Sequence, residues 1–175
     1  DFLDFQLAKI DELVAAQLRF LELSKERRQR EIDLAVTTGY LENATSQRVI
    51  INGIESEINS DWKVMKLMAL SKQISKGTTP STLGEAYASS GVRFIRGEDI
   101  VDGQLTETGS VFISKETHES MSRSNLKASD LLYVIAGTLG KTALVEERHL
   151  PLNTNQAICF VRLRNPSLSP WIKYW

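Results

Sequence analysis

The 175-residue sequence contains one cysteine, two histidines and four prolines, and it lacks any long run of apolar residues. The single cysteine, Cys159, excludes an intrachain disulfide framework and a cysteine-based zinc site, and it suits a reducing compartment. No apolar stretch approaches the roughly 18 residues that cross a bilayer, and the acidic start does not resemble a signal peptide. We therefore predict a cytoplasmic protein that has no membrane partner.

Residues that commonly carry catalysis are also sparse. His118 and His149 are far apart in the sequence and neither lies at a metal-ligand spacing, so we expect structural or surface roles and no bound metal. There is no Gly-x-Ser-x-Gly elbow and no glycine-rich cofactor loop, and Cys159 lies in an alternating apolar segment typical of a buried, inert thiol. The sequence therefore predicts a protein that is not an enzyme and holds no cofactor.

One segment partly matches a phosphate-binding loop. Residues 137–142 read Gly-Thr-Leu-Gly-Lys-Thr, but a P-loop needs a glycine at the position of Ile135 and a helix after Thr142. A short strand is expected there instead. We predict a turn between two strands, with Lys141 free to meet a DNA phosphate.

A magnesium-dependent nuclease would need clustered carboxylates beside a lysine. Glu98, Asp99 and Asp102 lie in a glycine-bounded turn without such a lysine, so we expect solvated turn acids.

Charge is distributed unevenly along the chain. Residues 1–60 carry seven basic and eleven acidic side chains, whereas residues 61–175 carry fourteen basic and eleven acidic ones. The second part is therefore mildly basic, which is compatible with a surface that faces phosphates but does not require one.

The first 38 residues contain neither proline nor glycine and repeat apolar side chains at helical spacing. The intervals of 4, 3, 4 and 7 are typical of a coiled-coil seam formed by Leu3, Leu7, Ile10, Val14 and Leu21. A second apolar line, at Leu13, Phe20 and Leu34, widens this face. Gly39 follows as a candidate left-handed cap. At about 57 Å, such a helix needs a partner helix, either from the same subunit or from a second copy.

The remaining sequence predicts an α+β fold. Residues 39–60 are polar and mixed and indicate a linker with at most one short element. Residues 61–175 alternate short apolar runs with turn residues, which predicts strands at 92–95, 131–135, 143–145 and 157–163 and helical pieces at 66–74 and from 170 onward. We expect a long N-terminal coiled-coil helix, residues 1–38, followed by a mixed domain with a twisted sheet.

This second domain contains many side chains that suit bases and phosphates. Arginine pairs with guanine, and asparagine or glutamine with adenine, in the major groove. The candidates for DNA contact are Lys76, Thr78, Thr79, Arg93, Arg96, Arg123, Asn125, Lys127, Lys141, Asn153, Asn155 and Gln156.

Four blocks of the second domain follow one another in a specific order. An aromatic-plus-strand segment at 62–67 leads to Lys-Gly-Thr-Thr-Pro-Ser at 76–81, and Ser-Gly-Val-Arg-Phe-Ile-Arg-Gly-Glu-Asp-Ile follows at 90–100. Asp-Leu-Leu-Tyr then runs into Ala-Gly-Thr-Leu-Gly-Lys at 130–141, and Asn-Thr-Asn-Gln-Ala stands at 153–157. Together they resemble the target recognition domain of the specificity subunit of type I restriction-modification systems. Residues 8–39 resemble part of the helical region of that family.

The resemblance implies a non-catalytic subunit that reads one half of a bipartite double-stranded DNA site. In that family two long antiparallel helices hold two recognition domains apart, and about 57 Å of helix would cover about 17 base pairs. The implied partners are DNA methyltransferase (modification) subunits and a restriction subunit that translocates and cuts DNA. Since the sequence starts at Asp1 and stops after an aromatic-rich segment, we expect a fragment or a half-subunit with an incomplete recognition domain.

Two alternatives remain open. The chain could be a protein-interaction or dimerisation module, derived from a truncated specificity subunit, that no longer reads DNA. The second alternative is an intrinsic nuclease or NTPase, whose activity would depend on Glu98 or Lys141. Because the motifs recur in family members that read different sequences, the resemblance implies that they shape the domain more than they choose bases.

Overall fold

The computed structural model describes residues 2–39, 45–106 and 111–175. The fold is mixed α+β, with a long N-terminal helix followed by sheets, as the sequence predicts. The chain divides into two compact units, one formed by Asp1–Val64 with Tyr174–Trp175 and the other by Met65–Lys173. Among the described residues, no helix is both long and apolar enough to span a membrane.

Helix α1 (Phe2–Thr37) dominates the first unit. It ends where Thr38 and Gly39 both donate their backbone N–H groups to the Leu34 carbonyl, each at 3.0 Å. Gly39 has a φ of +81°, so the predicted left-handed cap is confirmed. Val36 is the one buried residue of this helix. The residues of the predicted seam are exposed, as are those of the second apolar line.

A two-stranded hairpin follows within the segment predicted as a linker. Strands β1 (Ser46–Ile51) and β2 (Ile54–Asn59) pair antiparallel. Asn52 and Gly53 connect them, both with positive φ, which is the backbone of a tight hairpin turn favoured by Asn-Gly. This dipeptide between β-branched residues is the signal that the linker prediction overlooked. The buried Asn59 attaches β2 to the helix end by donating to the Thr38 carbonyl at 3.0 Å.

The second unit contains three short helices and nine strands in its described residues. In chain order they are α2 (Leu67–Leu70), β3 (Ser71–Lys76), β4 (Val92–Ile95), β5 (Ile100–Val101), β6 (Gln104–Leu105), β7 (Val111–Ile113), α3 (Lys115–Ser120), β8 (Leu131–Val134), β9 (Thr142–Leu144), β10 (Leu152–Thr154), β11 (Ile158–Leu163) and α4 (Ser169–Ile172). All four predicted strands are present to within a residue at each end. The helix predicted at 66–74 stops at Leu70, because residues 71–76 pair with β11 instead.

Two sheets form the framework of this unit. The larger has the order β3-β11-β8-β9 and is antiparallel throughout. The smaller has the order β10-β4-β7, in which β10 and β4 run parallel. Strand β11 alternates its side chains between two apolar clusters, with Phe160 in the main core and Val161 on the opposite face. The main core includes Ile95, Ile100, Leu132, Val134, Val145, Leu152, Ile158 and Phe160.

A buried ion pair connects three parts of this framework. Arg162 on β11 donates from Nε and Nη2 to the two carboxylate oxygens of Asp130 at 2.8 and 2.7 Å, and Asp130 is fully buried. Nη1 of the same arginine donates to Gln73 on β3 at 2.8 Å, and Asp130 also accepts the Lys127 N–H at 2.8 Å. The bidentate geometry fixes the start of β8 against the middle of the larger sheet.

We predict that Asp130→Ala lowers the free energy of unfolding by about 3 to 5 kcal/mol, because it leaves the Arg162 guanidinium largely buried without its counter-ion. Urea unfolding followed by tryptophan fluorescence measures the change. The control is Glu119→Ala, which breaks an exposed pair with Lys115 and should cost less than about 1 kcal/mol. Equal effects of the two substitutions would contradict the proposed role of the buried pair.

Candidate nucleic-acid interface

The ends of several strands meet at one edge of the second unit. Lys76 at the end of β3 lies opposite Cys159 near the start of β11, whose first residue, Ile158, lies opposite Val134 at the end of β8. In the smaller sheet, β4 and β10 end side by side because Ile95 is in register with Thr154. We call the four segments that leave these strand ends, residues 76–79, 96–98, 135–141 and 155–157, the loop edge.

Backbone contacts hold the segments of the loop edge together. Thr78 donates its N–H to the Thr154 carbonyl at 3.0 Å, and Ile135 donates to the Ala157 carbonyl at 2.8 Å. Thr154 also donates its hydroxyl to the Ile95 carbonyl at 2.9 Å, which bridges the ends of β10 and β4. The loop edge is therefore a fixed arrangement of four loops and does not depend on long flexible connections.

Gly77 has a specific role in this arrangement. A Cβ atom at this position would lie 2.0 Å from the Thr154 carbonyl oxygen and 2.5 Å from that of Asn155. Both distances are far below van der Waals contact, so only glycine allows the backbones to approach this closely. The Lys-Gly-Thr-Thr segment thus needs its glycine for packing at the loop edge.

Seven of the twelve predicted DNA-contact residues lie at the loop edge. They are Lys76, Thr78, Thr79, Arg96, Lys141, Asn155 and Gln156. The edge carries three basic side chains against one acidic side chain, Glu98, which pairs with Arg96.

The polar side chains of the loop edge differ in how they are engaged. Lys76 and Gln156 are exposed, and Gln156 accepts a hydrogen bond from the Thr79 hydroxyl. Lys141 places its ammonium 3.4 Å from the Gly97 carbonyl. Asn155 accepts the Ala157 N–H at 3.1 Å and so stabilises the turn before β11. Lys76 and Gln156 are therefore the most accessible of these side chains, and Lys141 is half-buried beside them.

The prediction for Asn153 is wrong, since this side chain is fully buried. Its amide contacts the Asn125 amide at 2.8 Å and lies 3.4 Å from Nδ1 of His118. It also accepts the N–H of Thr154 at 2.8 Å. Asn153 and its half-buried neighbour Asn125 therefore contact each other inside the domain. A polar residue that is satisfied internally has no distinguishing mark in a single sequence.

Arg93 is also removed from the predicted interface, and Asp99 is not the solvated acid that the sequence predicts. The Arg93 side chain is 13% exposed, with Nη2 lying 4.0 Å from Oδ1 of the buried Asp99. Asp99 accepts the Arg96 N–H at 2.8 Å and so caps the turn at Gly97–Asp99. Burial raises the pKa of Asp99, against the opposing effect of that hydrogen bond and of the two arginine charges. Glu98 is exposed, as predicted.

Arg123 and Lys127 are exposed but lie in the segment that leads into the start of β8. The backbone N–H of Lys127 donates to Asp130, one residue before that strand. Since the loop edge is at the other end of β8, the structure does not bring these two residues together with the seven.

The histidines and the cysteine occupy structural positions. His149 accepts the Glu146 N–H at 3.0 Å and caps a short turn. Burial lowers the pKa of His118, so this imidazole is neutral at neutral pH beside the buried asparagines. Cys159 is half-buried and its burial raises the pKa of the thiol, which disfavours the reactive thiolate. No group of three or more metal-ligating side chains occurs in the ranges that the structure describes.

The glycine-rich segment at 137–142 connects two antiparallel strands, as predicted. Strand β9 begins at Thr142 and pairs with β8, and Gly137 and Gly140 have φ values of +80° and +85°. No helix follows the Gly-Lys-Thr sequence, so the segment differs from a phosphate-binding P-loop.

No protein-family model matches the chain.

The side chains of the loop edge suit the binding of nucleic acid. Its four loops carry cations, amides and hydroxyls, and proteins use hydrogen bonds from such groups to contact phosphates and base edges.

We predict that Gly77→Ala separates β3 from the Thr154 backbone and lowers the free energy of unfolding by about 3 kcal/mol, since the clash is with backbone and cannot be relieved by a rotamer change. The control is Gly97→Ala, where a Cβ would approach only the Val134 side chain, at 3.3 Å. Chemical denaturation compares the two variants. A Gly77→Ala protein as stable as the Gly97→Ala protein would contradict the close approach.

Proposed function

We propose that this chain is a non-catalytic DNA sequence-recognition (specificity) subunit of a type I restriction-modification complex. Its second unit docks the loop edge onto one half of a bipartite duplex site, and partner subunits carry out methylation and cleavage. The observation that carries the proposal is the gathering of Lys76, Arg96, Lys141 and Gln156 from four separate segments onto one edge.

The resemblance and the fold support the proposal together. Each of the four sequence blocks that resemble a target recognition domain contributes one segment of the loop edge: 76–79, 96–98, 135–141 and 155–157. Blocks that are up to 80 residues apart in the chain thus meet at a single surface. A motif set that served only the core would not be expected to converge on exposed loops.

The residues at the loop edge suit two kinds of DNA contact. Lys76 and Lys141 offer ammonium groups for phosphates, which position the protein without reading sequence. Gln156 and Arg96 have the chemistry of base readout, where one good bidentate contact discriminates by about 1 to 3 kcal/mol. To reach DNA, the half-buried Arg96 would have to give up its ion pair with the exposed Glu98.

The proposal gives helix α1 a separate task. With 36 residues it spans about 54 Å, and we propose that its exposed seam forms a coiled coil with a helix of the same subunit or of a second copy. In this assembly the helix sets the distance between half-sites and offers a surface to the modification and restriction subunits. In this proposal the complex acts on DNA in the cytoplasm. The sheets of the recognition domain carry the right-handed twist that is usual for β-sheets.

We predict that affinity for a mixed-sequence duplex falls steeply with salt, and that the double variant Lys76→Ala/Lys141→Ala lowers the slope of log affinity against log salt by about 2. Each lost phosphate contact removes about one released counter-ion. Fluorescence anisotropy of a labelled duplex measures the slope. The matched control is Lys72→Ala, an exposed lysine near the opposite end of β3, which should leave the slope unchanged. A flat salt profile for the unaltered chain would count against phosphate-based docking.

A second candidate function is a protein-interaction module that does not read DNA. The exposure of the seam residues Leu3, Leu7, Ile10, Val14 and Leu21, all between 48% and 66%, favours it because such a face requires a partner in water.

We expect the double variant Leu7→Gln/Ile10→Gln to abolish assembly of the chain, measured by analytical ultracentrifugation, while the salt-dependent affinity for duplex per chain is retained. The control is Glu22→Gln, which changes the same helix at an exposed charged position and should assemble normally. Loss of assembly by the seam variant, combined with no duplex binding by the unaltered chain, would favour the interaction module over the DNA reader.

A further inference from the structure

The turn between β8 and β9 carries exposed aliphatic side chains on the otherwise polar loop edge. Leu139 is 69% exposed and Ile135 is 48% exposed. Single exposed leucines are ordinary on protein surfaces. Here the leucine shares an edge with Lys76, Arg96 and Lys141, and no described residue covers it.

The backbone around Leu139 is bare. Gly137 and Gly140 flank the pair Thr138 and Leu139, and a Cβ added at either glycine would have no heavy atom within 4 Å. Both glycines have positive φ, which gives the turn a tight, narrow tip. Residues 137–140 thus form a narrow projection, and Leu139 is its one large side chain.

The base of the projection is rigid. Val134 donates its N–H to the Lys141 carbonyl at 2.9 Å, and Ile135 donates to the Ala157 carbonyl at 2.8 Å. Leu139 itself donates its N–H to the Gly137 carbonyl at 3.0 Å, which closes the tip. A backbone held in this way has little conformational freedom to lose on binding, which favours the turn as a contact.

We infer that Leu139 is an apolar wedge that enters the minor groove of duplex DNA and contacts a base step. This inference rests on the proposed DNA-reading function. The minor groove is about 6 Å wide and admits a narrow tip, and aliphatic side chains that enter it partly unstack neighbouring bases and bend the duplex.

Charge supports the same occupant. Lys141 follows the tip directly and keeps its ammonium at the base of the turn, near the Gly97 carbonyl, while Lys76 and Arg96 lie on neighbouring loops. Cations beside an apolar tip fit a ligand whose phosphates flank stacked, apolar base faces. Because every base has such a face, the wedge acts independently of sequence and complements the polar side chains that read base edges.

The experiment uses the full chain and duplexes that carry 2-aminopurine at successive positions, with end labels that report bending by energy transfer. The unaltered chain should raise 2-aminopurine fluorescence and bend the duplex. Leu139→Ala should keep the salt slope of binding and abolish both signals. The matched controls are Thr138→Ala, in the same turn, and Leu83→Ala, another exposed leucine outside the loop edge; both should retain the signals. Thermal unfolding checks that all variants are folded.

The outcomes separate this inference from the proposed function. Absence of duplex binding by the unaltered chain at low salt would overturn both. Binding without a fluorescence change, or a change that persists in Leu139→Ala, would overturn only the wedge. Replacing single thymines by deoxyuridine tests the major groove. If one such replacement lowers the affinity of the unaltered chain for the duplex but not that of Leu139→Ala, the leucine contacts a thymine methyl group in the major groove. The minor-groove wedge is then wrong.

Discussion

The two sheets of the second unit are joined at Thr154. Its carbonyl accepts the Thr78 N–H from the loop after β3, and its hydroxyl donates to the carbonyl of Ile95 at the end of β4. The first of these contacts is possible because Gly77 has no side chain and lets the β3 loop approach. The mutual positions of the loops that follow β3, β4 and β10 depend on these two contacts.

The sequence predicted the strands well because they are short runs of apolar residues bounded by turns. Residues 92–95 and 131–135 are of this kind, and the structure places most of their side chains in the core, although Ile135 is exposed. It also predicted the strand-to-strand turn at 137–142, since the Gly-Lys-Thr there lacks the preceding glycine of a P-loop. The hairpin in the first unit was missed because its strands bury little, so composition alone resembles a linker, although Asn52 and Gly53 form its turn.

Polar residues were harder to place. Asn153, Arg93 and Asp99 look like surface residues in a sequence, yet each is largely or fully buried. What distinguishes them is the partner: the Asn125 amide for Asn153, and the Arg96 backbone for Asp99. Such partners are brought near by tertiary packing, which the local pattern of a single sequence does not record. Gln156, by contrast, directly precedes the predicted strand at 157–163, so its place on a loop could be read from the local pattern.

Helix α1 presents a different physical problem from the second unit. Of its residues only Val36 is buried, whereas helices in proteins are stabilised mainly by tertiary packing of an apolar face. Exposed i,i+4 ion pairs such as those of Arg27 with Glu31 and Arg30 with Glu26 add only about 0.5 kcal/mol each. These pairs cannot offset the exposure of five seam residues over the preceding turns. The covering helix that we propose would supply this apolar contact without using any side chain of the loop edge. The proposed pairing of the helix and the proposed docking on DNA therefore draw on separate sets of residues, so that substitutions in one set should leave the chemistry of the other intact.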